Sequence, residues 1–100
     1  MAIKVTGLFK NPQSGLIYEN PTLMLIPHLE YANKINLEVF IDSQLYVNVM
    51  HYSNLTKDSL TYDPSITNPY LQLINALETV VIDNVKDANS MNQSATYDRV

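Results

Sequence analysis

The residues able to carry chemistry are few and scattered. His28 and His51 fall on two separate predicted strands. A sheet can bring two such imidazoles together as half of a zinc site. No HExxH, no CxxC and no carboxylate at ligand spacing accompanies them, so they read as surface or half-buried histidines. The ten acidic residues, from Glu19 to Asp98, are dispersed. A general acid–base pair would have to be assembled by the fold alone. No nucleophile elbow surrounds any serine. Two glycines, Gly7 and Gly15, cannot build a P-loop or a dinucleotide fingerprint. Asp42, Asp58 and Asp63 lack the spacing of a calcium loop. There is no cysteine, which removes disulfides and thiolate chemistry. The expectation is a chain with no catalytic residue, no metal and no cofactor.

Composition narrows the partners. One hundred residues make one ordinary domain. Hydrophobic residues are 46% of the chain, enough for a core, and charged residues are only 16%, against about 25% in ordinary soluble domains. Asparagine and tyrosine fill the difference. They make surfaces that hydrogen-bond and stack without strong fields, which suits protein–protein contact; an AT-rich coding bias yields the same composition. The net charge is −4, and six basic residues are spread from Lys4 to Arg99. That leaves no phosphate-tracking stripe, so nucleic acid is not expected as a main partner. No apolar run approaches the roughly 18 residues of a membrane span, and no membrane partner is expected. Residues 1–10 hold no apolar core of signal-peptide length, so the protein is expected to be made in a cytoplasm without classical export. Asn54-Leu55-Thr56 and Asn92-Gln93-Ser94 match the glycosylation pattern by chance in so Asn- and Ser-rich a chain.

The elements that must position these residues follow from periodicity. Ile3, Val5, Gly7 and Phe9 alternate with Lys4, Thr6 and Leu8, a first strand. Asn11 to Gly15 is a turn, Leu16-Ile17-Tyr18 a short extended piece, and Asn20-Pro21 turns the chain again. From Thr22 to Tyr31, Leu23, Leu25, Leu29 and Tyr31 share a face opposite Met24, Ile26, His28 and Glu30. Pro27 cannot donate to a ladder and marks a bulge or an edge. Ile35, Leu37, Val39 and Ile41, then Leu45, Val47 and Val49, form two alternating runs joined at Asp42-Ser43-Gln44, a hairpin. Leu60-Thr61-Tyr62 is a candidate short strand. Asn68-Pro69 opens a helix, with Asn as N-cap and Pro at the first turn. Tyr70, Leu73, Ile74, Leu77, Val81 and Val85 recur at its period. Val80 and Ile82 widen that stripe, and their β-branches make packing the source of its stability.

These elements predict an α+β domain: a small antiparallel β-sheet, barrel or sandwich of about 4–6 strands with one C-terminal amphipathic helix at about 69–86. Residues 1–88 form the single domain and 89–100 a loose C-terminal arm that can order on a neighbour. Strict alternation through the hairpin turns Phe40, Tyr46, Met50 and Tyr52 outward. Such a face is either covered by another element of the chain or offered to a partner. Those four, with Tyr97 on the arm, are the candidate contact residues.

Gly7-Leu8-Phe9-Lys10-Asn11-Pro12-Gln13-Ser14-Gly15-Leu16-Ile17-Tyr18-Glu19-Asn20-Pro21, followed by Leu23-Met24-Leu25-Ile26-Pro27-His28, resembles small virion structural proteins of crAss-like tailed phages. The Asn68-Pro69-Tyr70 helix start is similar too. The resemblance covers most of the chain, rests on no catalytic motif and transfers no functional residue. It implies a capsid, head–tail junction or tail component located in the virion, whose partners are other virion proteins and copies of itself. The alternative class is a monomeric binding module for a small ligand or host protein, with a pocket between helix and sheet lined by Tyr31, Tyr62 or Tyr70.

Overall fold

The computed structural model describes residues 1–42 and 47–100. The main sheet has five strands, all antiparallel, in the order β6-β5-β4-β1-β7. These are β1 (Ala2–Thr6), β4 (Thr22–Leu29), β5 (Lys34–Ile41), β6 (Val47–Thr56) and β7 (Thr96–Arg99). Strands β2 (Leu8–Lys10) and β3 (Ile17–Glu19) form a separate two-stranded hairpin. One long helix, α1 (Pro69–Ala88), and a single turn, α2 (Ser90–Gln93), complete the fold. The sheet is open, so the barrel alternative does not apply.

The expected first strand is two strands, because the chain bends at Gly7. Gly7 sits at φ 113°, a conformation that costs an L side chain dearly. The partner strand bends opposite, at Asn20 (φ 51°). The two residues lock the corner: Gly7 N–H donates to Asn20 Oδ1 at 2.8 Å and Asn20 N–H to the Gly7 carbonyl at 2.9 Å. Phe9, beyond the corner, is fully buried.

Pro27 sits inside β4, paired with Leu37 of β5. On its other side β4 pairs β1, where Leu25 N–H donates to the Met1 carbonyl. Alternation aims the position of Pro27's missing N–H past the end of β1, so no ladder bond is lost.

The core lies between one face of the sheet and α1. Ile3, Val5, Leu23, Ile35, Leu37 and Val39 from the sheet meet Leu77, Val81 and Val85 from the helix, all at most 1% exposed. Full burial of such a side chain stabilises by about 1.5–3 kcal/mol. Ile82 is buried too, so the widened stripe is used. Asn68 Oδ1 accepts from Tyr70 N–H (2.9 Å) and Leu71 N–H (3.1 Å), with Pro69 at the first helical position. The helix runs two residues past its expected end. Leu60 is buried, but its segment follows a 3₁₀ turn (Lys57–Ser59) and is not a strand.

The segment expected as a loose arm, 89–100, is α2 followed by an edge strand. Thr96–Arg99 pairs with β1 from Ile3 to Thr6. Its hydrophobic pattern is too short to read, yet the edge of β1 supplies a ready backbone partner.

Candidate functional site

The two histidines do come to one face. His28 stands opposite Asn36, and His51 opposite Glu38, on the strands flanking β5. His51 Nε2 lies 2.7 Å from Asn36 Oδ1. Both rings are exposed, and among the described residues no group of three or more His, Asp or Glu is placed to hold a metal ion. Asp63 is taken up in a local turn, accepting from Ser65 N–H and Oγ–H.

Three polar residues are buried among those described: Asn11, Glu78 and Asn92. The two asparagines are clamps. Asn92 Oδ1 accepts from Lys10 N–H (2.7 Å), and its Nδ2 donates to the Lys10 and Val85 carbonyls (3.0 and 2.9 Å). One side chain thus joins the bent hairpin, the end of α1 and α2. Asn11 Nδ2 donates to the Asn48 carbonyl at 3.0 Å, fastening the hairpin to β6. Glu78 on α1 lies 3.8 Å from Arg99 Nε on β7. Burial pushes its carboxyl above the usual range, and the guanidinium pulls it part of the way back.

Of the expected outward contact residues, Phe40 does face outward, half-buried, on the sheet face away from α1. Met50 and Tyr52 do not. Met50 is paired with Val39 and Tyr52 with Leu37, both core residues. Tyr52 accepts from Asn84 Nδ2 of the helix (2.8 Å) and donates to Met50 Sδ (3.0 Å). Burial raises the Tyr52 hydroxyl pKa, the Asn84 bond opposing it. The cause is an extra residue in β6 at Val49, opposite Val39 and Phe40. A bulge of this kind shifts the alternation by one and turns the side chains after it over, here as far as the second register shift beyond Tyr52. The apolar doublet Val49-Met50 was the one signal for it. Tyr46 lies outside the described residues, as does Leu45.

Tyr97 also faces inward. Its hydroxyl donates to the Asn92 carbonyl (2.8 Å), and Lys86 Nζ sits 5.4 Å over its ring. Burial pushes its pKa up to about 12. The three tyrosines expected around a pocket have different settings. Tyr31 is 93% exposed at the β4–β5 turn, Tyr62 donates to the Lys57 carbonyl and packs on the core, and Tyr70 is exposed at the start of α1.

The outer face of the sheet, away from α1, carries exposed Ile26 and half-buried Met24. Met24 pairs with Ala2 on one side and Phe40 on the other, and Ile26 follows two residues along β4. The four make a contiguous apolar strip across β1, β4 and β5. Exposed Lys4, His28, Asn48 and His51 surround it. No protein family, no curated protein and no solved structure matches the chain.

Proposed function

We propose that this chain is a non-enzymatic structural subunit of a tailed-phage virion, a capsid, head–tail junction or tail component that works through protein–protein assembly. The observation that carries the reading is the one-sided sheet. α1 and the bent hairpin serve one face, while Ile26 is exposed and Met24 half-buried on the other. A contiguous apolar strip within a polar rim is the anatomy of an interaction surface. The charge-poor, asparagine- and tyrosine-rich composition suits such contact, and the resemblance of residues 7–28 to virion proteins of crAss-like phages supports its setting.

The test joins mass spectrometry of purified particles to native mass of the isolated chain. The chain is expected in particles, and Ile26→Lys is expected to block its incorporation while leaving the unfolding midpoint nearly unchanged. A chain that stays monomeric at high concentration and is missing from particles would overturn the reading.

A further inference from the structure

The two edges of the main sheet differ in how they are closed. Val5 N–H donates to the Pro21 carbonyl and Leu25 N–H to the Met1 carbonyl, so odd-numbered β1 residues bond toward β4. Val100 N–H donates to the Ala2 carbonyl, so even-numbered ones bond toward β7. Tyr97 and Arg99 stand opposite Val5 and Ile3, the odd positions. Their N–H and C=O groups therefore point off the sheet's edge, and among the described residues they have no partner. The β6 edge is guarded by contrast. It is bent by two register shifts, and the Asn48 carbonyl is capped by Asn11.

The open edge borders a groove. Arg99 reaches from β7 to α1, with Nη2 donating to Thr79 Oγ1 at 2.7 Å, and a cavity lies on each side of it. One, about 380 Å³, is bounded by Ile82, Asp83 and Lys86 of the helix and by Thr96 and Tyr97 of the strand. The other, about 400 Å³, is bounded by Tyr70, Leu71, Ile74 and Val100. Tyr70, Leu71 and Val100 are 68%, 54% and 74% exposed. Arg99 already has Glu78, whereas Lys86 has no carboxylate partner among the described residues.

We infer that the groove between β7 and α1 receives an extended strand from a partner polypeptide, paired through the Tyr97 and Arg99 backbone. Its inward side chains are acidic beside Lys86 and apolar beside Leu71. Strand addition gives four ladder bonds, and alternate side chains fall about 7 Å apart into the two cavities. A second copy of this chain fits less well. The two-fold antiparallel register that uses both Tyr97 and Arg99 sets Asp98 directly against its own copy, and like charges so placed repel.

The inference rests on the assembly reading above and names its partner's chemistry. The test is amide hydrogen exchange of the full chain with the capped heptapeptide Thr-Leu-Thr-Val-Thr-Glu-Thr. Exchange at the Tyr97 and Arg99 amides should slow about tenfold or more at saturating peptide. The same peptide N-methylated at its valine and glutamate keeps every side chain and should give no protection. Replacing its glutamate by lysine should weaken binding about tenfold. Unslowed exchange at both amides, or equal protection by the N-methylated peptide, overturns the inference. A native-mass dimer that protects these amides without peptide assigns the edge to a second copy and overturns it too. The assembly reading fails separately: peptide protection in a chain missing from particles keeps the edge and sinks the virion role. Particles whose bound chain leaves both amides unprotected do the reverse.

Discussion

Asn92 satisfies three backbone groups from two segments with one amide. Asn92→Ala leaves buried donors and acceptors without partners, each costing about 1–3 kcal/mol. A total loss of about 2–4 kcal/mol is expected in urea unfolding; a loss under about 1 kcal/mol would mean that water replaces the amide. Glu78 predicts a pH dependence. Its folded-state pKa lies above the ordinary 4.5 because burial disfavours the carboxylate. The folded chain therefore holds this proton more tightly than the unfolded one. The resulting stability is fully present below the unfolded value and is lost as pH rises through the folded one. Glu78→Gln is expected to flatten the stability curve on the alkaline side of 4.5. Denaturation of both proteins across that range checks it, and an unchanged slope would assign the dependence to another group.

Helix α1 is the element that closes the domain, and its stability comes from packing. Leu77 is 1% exposed against the sheet. Leu77→Ala should cost about 2–5 kcal/mol by removing buried atoms and leaving a cavity. A loss under about 1 kcal/mol would place the helix's main contact elsewhere. Asn68→Ala removes one cap oxygen serving two amides and should cost about 1 kcal/mol. Strand β6 is the element that departs from simple alternation. Its bulge at Val49 carries Met50 and Tyr52 beneath the helix, so Tyr52→Phe should lower stability by about 1 kcal/mol through the lost Asn84 bond. Were Tyr52 a surface contact residue, the same change would leave the unfolding midpoint untouched.

The whole molecule is a one-sided sandwich, with helix and bent hairpin on one face of an open five-stranded sheet and an apolar strip on the other. Ile26, 37% exposed in that strip, should tolerate lysine within about 0.5 kcal/mol while association falls; analytical ultracentrifugation beside urea unfolding separates the two. The amino-acid sequence alone specifies the strands with clean alternation, the helix and its cap, and the lack of local catalytic signatures, because each rests on near neighbours along the chain. Period 2 in Ile35–Ile41, period 3.6 in Tyr70–Val85 and the Asn68-Pro69 pair are local features. It did not determine which face Met50 and Tyr52 occupy, because one inserted residue inverts a strand at no cost in composition. Nor did it determine that Thr96–Arg99 is a strand. Four residues carry no usable period, and their order comes from the β1 edge, ninety or more positions away. The open edge at Tyr97 and Arg99 is likewise a tertiary fact, since which backbone groups go unpaired depends on which strand lies beside them.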